Sequence, residues 1–459
     1  MRSIIRFAID FAAYVIKGSP KFYAWLAFLG VLVLALLYGT YLQATEGLIV
    51  TGLTNQITDG LYIANFVFMV GVAAGAVTIV FPAYVYHHKG LHDVTVLGEM
   101  LAVAAVMTCN LFILSHMGRP ERLWHMMPPF GIINIPSSAL ALDVITLSTY
   151  LILNLVGGFY FMYTRYMGTE VNRKFYMPLI YISIVWALSI HTVTAFFLST
   201  MPARPVWNTS MMPIRFIATA FAAGPSLIIL LFLYIRKNTR LWIEDSAINA
   251  LSTIVTFCLG IALYLTMSEI VTELYAVTEH SLGLQYLMFG LDGLNKLVPW
   301  FWTSLVFNLV AFVMLLTPSV RKNYRLLPIA CILTIIGIWV EKGMGTVVPG
   351  FIPTPSGEVT EYAPTLIEIL ITMGDWAVGM LIATVLMKGA IGILLGEVKW
   401  AIEPWSVIRN AAPLPYRTSF EPARMEPWAR SSDPDAKVDV GSGARRGSRA
   451  RGQSRSALG

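Results

Sequence analysis

The sequence predicts an all-α polytopic membrane protein of about ten transmembrane helices, arranged as two parallel-repeat four-helix bundles plus flanking helices. Three observations carry this expectation. Hydrophobic residues make up 56% of the chain against 13% charged, and the mean hydropathy is +0.68, more apolar side chain than a soluble core of this length can bury. Apolar runs of about 20 residues, enough to cross a ~30 Å hydrocarbon layer, recur ten times. Short identities also repeat at nearly one offset. Ala73-Ala74-Gly75 and Cys109 recur as Ala222-Ala223-Gly224 and Cys258 after 149 residues, and Pro178 and His191 meet Pro328 and Glu341 after 150. A shift of four spans preserves chain direction, so spans two to five and six to nine are expected to be parallel repeats about an axis along the membrane normal.

In chain order, residues 1–20 intersperse Arg2, Arg6, Asp10 and Lys17 with Ile, Phe and Val at helical spacing, which predicts an interfacial amphipathic helix. Asp10 and Lys17 interrupt the continuous apolar core that a secretory signal requires. Spans are expected at 22–42, 61–86, 96–116, 137–163, 176–199, 212–235, 247–271, 298–317, 326–347 and 366–386. Glu341, Lys342 and three glycines weaken the outer end of the ninth. The chain thus divides into a first span and outer loop (21–60), a first bundle (61–200), a second bundle (201–350), an outer loop with the tenth span (351–409) and a tail (410–459). That tail lacks apolar periodicity and ends in an Arg/Ser/Gly-rich run, the composition of a solvated, disordered basic segment.

Orientation follows from the loops. One set carries ten Lys and Arg, from Lys89 to Arg325, and the alternate set six, namely Arg119, Arg122, Arg204, Arg215, Lys296 and Lys342. Both termini are basic as well, so the positive-inside bias places them in the cytoplasm of a cell-membrane protein. The loop carrying Arg204, Trp207 and Asn208 then faces outward.

Ionisable side chains inside a span are costly and mark candidate functional sites. Asp143, His191, Glu269, Glu273, Glu341 and Glu368 fall toward the outer ends of their spans, Asp375 near mid-depth, and Glu99 and Lys388 toward the cytoplasm. An outward-facing polar pocket is implied. The plainer alternative for His191, a neutral imidazole satisfied by a neighbouring helix, has about equal weight. The three cysteines, Cys109, Cys258 and Cys331, sit in apolar runs without paired spacing, which offers neither a disulfide framework nor a cluster motif. A bis-histidine haem needs two imidazoles at similar depth, yet His191 lies eight residues inside its span and His116 ends its own. No haem, iron–sulfur cluster or metal site is expected in this chain, and no nucleic-acid partner.

Several stretches together resemble a known family: LYIANFVFMVGVAAGA (Leu61–Ala76), HMGRPERLWHM (His116–Met126), IHTVTAFFLSTMPARPVWNTSMMP (Ile190–Pro213), EKGMGTVVPGF (Glu341–Phe351) and EYAPTLIEI (Glu361–Ile369). In order and spacing they are similar to the NrfD/polysulfide reductase-type membrane subunits, and within these to the ten-span subunits of the Dsr sulfur-metabolism complex and of the Hme menaquinol-oxidising complex. The resemblance implies a subunit without a redox cofactor of its own that binds menaquinone. It would exchange electrons with an extracytoplasmic ferredoxin-like iron–sulfur subunit, alongside further cytochrome subunits and membrane lipid, in sulfur-compound metabolism.

Oxidising a quinol releases two electrons and two protons, so the site needs hydrogen-bond partners for the ring oxygens and a group titrating near neutrality. His191 and Glu341 are the candidate proton-handling residues. Asn65, matched by similarity to a polar headgroup position, Asp59, Arg204, Trp207 and Glu269 complete the expected quinone site. Arg119 and Arg122, on the face disfavoured for cations, are expected to dock the iron–sulfur subunit. If the repeat holds, Glu341 occupies the place in the second bundle that His191 holds in the first, with adjacent Lys342 its nearest candidate cation. A proton-translocating module and a structural anchor of the same complex remain alternatives. A secondary transporter fits less well, because the acids cluster outward.

Overall fold

A computed structural model describes residues 2–126, 129–276, 281–354 and 357–400 of the chain. The basic tail expected over 410–459 lies outside the described residues.

Helix α1 (Arg2–Ile16) turns Phe7 and Val15 inward and leaves Ile4, Ile5 and Ile9 exposed. It is tied to the spans by Tyr166, whose hydroxyl donates to Asp10 at 2.6 Å, by Tyr163 to Ser3 at 2.9 Å, and by the Lys388 ammonium donating to the Val15 carbonyl at 2.8 Å. Among the described residues, ten helices are long and apolar enough to cross a membrane: α2 (Pro20–Glu46), α3 (Leu61–Tyr84), α4 (Thr95–His116), α5 (Ala139–Met167), α6 (Arg173–Ser199), α7 (Met212–Asn238), α8 (Asp245–Ala276), α10 (Val298–Leu316), α11 (Leu327–Phe351) and α12 (Leu366–Leu394). A shorter helix, α9 (Ser281–Phe289), lies between α8 and α10.

Local chemistry sets the ends. Ser19, Ser138, Asn172 and Thr365 each accept a first-turn backbone N–H with a side-chain oxygen, removing one of the donors a helix start leaves unpaired. Gly168 closes α5 at φ 68°, the left-handed position that glycine adopts without penalty. Two spans depart from the expected outline. The second is interrupted at Ala76, between the helical stretches Leu61–Gly75 and Val77–Tyr84. The ninth continues past Val347 to Phe351 through a widened π-type stretch (Gly343–Val347) and a tight final turn. Irregular turns of that kind recur at functional sites.

The two bundles close in the same way. In the first, α3 packs on α4, α4 on α5, α5 on α6 and α6 back on α3; in the second, α7, α8, α10 and α11 make the corresponding four pairs. The bundles meet through α3 and α7. Helix α3 is accordingly the most enclosed span, with 89% of its core window buried, whereas α2 is peripheral at 11% and packs on α12.

The contact between bundles shows why glycine stands where it does. A Cβ placed on Gly75 would lie 2.5 Å from the Gly224 Cα, and one on Gly224 would lie 2.5 Å from the Gly75 Cα. This reciprocal contact, between residues separated by the repeat offset, is what a two-fold relation along the membrane normal produces at its axis. Only backbone meets the added carbon, so nothing flexible can yield. Gly75→Val is expected to lower stability in detergent by at least about 1–3 kcal/mol. Gly30→Ala, which would meet nothing within 4 Å, should not lower stability in the same denaturation assay.

Candidate functional site

The second bundle holds a narrow cleft with room for about 50 Å³, inside some 780 Å³ of space that includes open solvent. Its walls are apolar, with Leu263 and Ile270 from α8, Leu287 from α9, and Phe301 and Leu305 from α10. Its polar lining is concentrated on Arg215 of α7, Glu269 of α8, Asn308 of α10, and Glu341 and Thr346 of α11. Apolar walls with a few convergent polar groups are the usual composition of a small-molecule site.

Arg215 organises that polar lining. Its guanidinium is ion-paired with Glu269, lies 3.9 Å from the Glu341 carboxylate, and donates to the Thr346 hydroxyl at 3.1 Å. The Thr346 hydroxyl in turn donates to the Glu341 carbonyl at 2.9 Å. Asn308 donates its amide N–H to Glu341 at 2.9 Å, which fixes the orientation of the amide. Its Oδ1 is then a buried acceptor without a donor among the described residues. It also packs where a Cβ on Gly337 would come within 2.3 Å, so residue 337 must stay small.

The 200–211 loop roofs this cleft. Pro205, Val206 and Thr209 line it, and the fully buried Trp207 donates its indole N–H to the Thr346 carbonyl at 2.7 Å. The indole occupies the space a side chain on Gly350 would need. Arg204 stacks 4.3 Å above the Phe351 ring, and burial lowers its guanidinium pKa from the ordinary value while Asp59 nearby opposes that shift. Trp207→Phe removes one buried hydrogen bond and leaves a carbonyl unpaired. The expected loss is about 1–3 kcal/mol, read as faster proteolysis of the 200–211 loop.

His191 does not line the cleft. It is fully buried on α6, stacked 5.3 Å from the Phe216 ring, with its Nε2 2.6 Å from the Lys342 Nζ. Lys342, 2% exposed, lies over the same Phe216 ring at 4.4 Å. Both groups pack on Gly71 of α3, where a Cβ would meet them at 3.3 and 3.5 Å. The ion pair of Glu341 is with Arg215, at 3.9 Å, rather than with adjacent Lys342, the nearest candidate in sequence. Consecutive residues on a helix point about 100° apart, so Glu341 turns into the cleft toward Arg215 while Lys342 turns across the bundle interface to His191.

Of the expected site residues, Glu269 and Glu341 are brought together, Arg204 and Trp207 belong to the roof, and His191 connects from behind. Asn65 and Asp59 do not line the cleft. The Asn65 Oδ1 accepts the indole N–H of Trp339 at 2.9 Å and of Trp376 at 2.8 Å, and its amide donates to the Leu61 carbonyl at 2.7 Å. Asp59 pairs with His116 at 3.2 Å.

The sequence pattern alone does not single out Arg215, Asn308 or Thr346 for this cleft. Arg215 was legible as a cation three residues inside an apolar run, and Asn308 as an amide in mid-span. Among the described residues, no three His, Cys, Asp or Glu side chains converge as a metal site would require.

Comparison with known proteins agrees with the resemblance in the motifs. The chain is 25% identical, over 78% of its length and 88% of the relative's, to a protein of Halobacterium salinarum provisionally named as the membrane component of a dimethyl sulfoxide reductase. It is 23% identical to a selenate reductase component of Mesobacillus selenatarsenatis over 72% of this chain and 84% of that one. It is 21% identical to the Hdr-like menaquinol oxidoreductase integral membrane subunit of Archaeoglobus fulgidus over 81% and 93%. The model of the NrfD polysulphide reductase family matches residues 49–344, the first bundle and most of the second, and this chain belongs to that family.

Proposed function

We propose that this chain is the quinone-interacting membrane subunit of a multi-subunit oxidoreductase, and that the cleft of the second bundle takes the quinone ring. The observation that carries the reading is the juxtaposition of Arg215, Glu269, Glu341 and Asn308 at the polar side of an apolar-walled cleft. The naming of one relative as a menaquinol oxidoreductase subunit supports a menaquinone-type substrate. The distribution of basic residues supports cytoplasmic termini, so that the cleft opens outward.

In this reading a quinol donates its two hydroxyl protons to the cleft and two electrons to an iron–sulfur subunit docked on the outer face. Two carboxylates share one guanidinium there, so Arg215 balances one while the other accepts a proton. Asn308 holds the Glu341 carboxylate in place at the cleft through its amide N–H. Asn65 acts as a positioning residue, holding Trp339 two residues before Glu341. The Asp59–His116 pair, half-buried on the outer side, exchanges protons with solvent. The outer 117–138 loop presents Arg119 and Arg122 together with exposed Trp124, Phe130 and Ile132, a mixed basic and apolar surface suited to the partner. By the similarity of its motifs to the Dsr-complex subunits, the assembly serves sulfur-compound metabolism.

A second reading, proton translocation, is favoured by buried groups in the first bundle that the cleft does not use. Asp143 accepts from Thr194 at 2.7 Å, and the Tyr176 hydroxyl donates to Glu99 at 3.1 Å and accepts from Tyr84 at 3.1 Å. Lys342 and His191 would join these groups to the cleft.

The test is binding of a menaquinone analogue to the purified protein. Glu341→Gln and Asn308→Leu should each weaken it about tenfold, the worth of a buried hydrogen bond involving a charged group. Unchanged affinity in both variants contradicts the assignment of the cleft.

A further inference from the structure

A second groove runs along the membrane-facing side of the same bundle, at the end opposite the cleft. It is lined by Thr253, Phe257, Gly260 and Tyr264 of α8, by Phe312 of α10, and by Arg321 in the short helical turn Pro318–Arg321 that follows α10. Gly260 forms its floor. A Cβ there would come within 2.8 Å of the Phe312 ring, so the absence of a side chain lets that ring pack close on α8 at the floor. Phe257 at 70% and Tyr264 at 72% exposure stand at its sides.

Length and charge both bear on what fits. From Thr253 to Tyr264 the helix rises about 16 Å, close to half of a ~30 Å hydrocarbon core, so the groove covers one leaflet from interface to midplane. It is apolar along this length and cationic at the interface end. Arg321 donates to the Thr253 hydroxyl at 3.4 Å and has no carboxylate within ion-pair distance among the described residues. The nearby Asp245 is engaged by Arg236 and by the Tyr324 hydroxyl. Lys322 and Arg325 add to the positive charge at this end. Basic groups between transmembrane helices at an interface are suited to anionic headgroups.

We propose that this groove is a binding site for an anionic phospholipid, with the phosphate on Arg321 and one acyl chain along the Gly260 floor. The architecture alone does not produce it. The first-bundle positions at the repeat offsets, Leu111 for Gly260 and Val171 for Arg321, offer neither floor nor cation. A quinone carries no anionic group for Arg321 to recognise, which separates this site from the cleft.

The experiment uses native mass spectrometry of the purified full-length protein in detergent, supplemented with phosphatidylglycerol or phosphatidylcholine. Wild type should retain one phosphatidylglycerol in preference to phosphatidylcholine. Arg321→Gln should reduce that preference about fivefold, the effect of one basic residue on an anionic lipid. Gly260→Leu, which fills the floor, should reduce retention of both lipids. Lys322→Gln removes the same charge beside the groove, outside its lining, and should have a clearly smaller effect. The proposal is overturned if Lys322→Gln matches Arg321→Gln, if wild type holds both lipids equally, or if a menaquinone analogue displaces the retained lipid. Binding of that analogue to the cleft should survive in all three variants, which confirms that they are folded.

Discussion

Arg215→Leu is expected to be the most damaging single substitution in the protein. It leaves Glu269 and Glu341, side by side in the cleft, without the guanidinium that holds both. Removing one partner of a buried ion pair costs about 3–5 kcal/mol, chiefly through the charge left behind. The variant should therefore be poorly stable in detergent and inactive with quinol. Arg215→Lys keeps the charge but cannot bridge two carboxylates and a hydroxyl with a planar fork, so it should restore much of the stability and little of the turnover. A triple variant, Arg215→Leu with Glu269→Gln and Glu341→Gln, removes the whole charge cluster. Neutralising all the partners together is often tolerated, so this variant should assemble and still fail with quinol. Stability that stays low in the triple variant would assign the cluster a packing role instead.

The second large effect is expected at the bundle interface. Lys342→Met replaces a buried amine with a side chain of similar length and removes its hydrogen bond to His191. Lys342 does not line the cleft, so binding of a menaquinone analogue should be unchanged. On the proton-translocation reading, turnover should fall about 100-fold or more, the contribution of a positioned acid–base group, because Lys342 and His191 would carry protons from the cleft to the first bundle. His191→Ala should have the same effect, and the double variant should be no worse than either single one, since groups acting in series are not additive. Full turnover in both single variants, with assembly intact, would reduce the pair to a structural contact.

These expectations rest on residues that were unequally visible in the sequence. The ten spans were legible because an apolar run of membrane length is a composition signal that needs no tertiary knowledge. The repeat was legible at Gly75 and Gly224 because close backbone approach excludes every other residue there, and so preserves an identity that an offset can reveal. Glu269 and Glu341 stood out as acids in apolar surroundings. What could not be read was pairing. Which cation meets which carboxylate depends on helix rotation, and one residue of rotation separates Lys342, facing His191, from Glu341, facing Arg215. Asn308 escaped because an amide carries no formal charge, although its side chain bridges α10 to Glu341. Asn65 shows the opposite case, a polar position matched by similarity whose side chain is committed to two indoles.

Placing the quinone in the second bundle can be tested directly by photolabelling. An azido-menaquinone irradiated with the purified complex, followed by peptide mapping, should label α8 around Glu269, α9 around Leu287 and α10 between Phe301 and Asn308, and excess unlabelled menaquinone should suppress all three. Label confined to first-bundle peptides, around Asn65 on α3 or His116 on α4, would contradict the account.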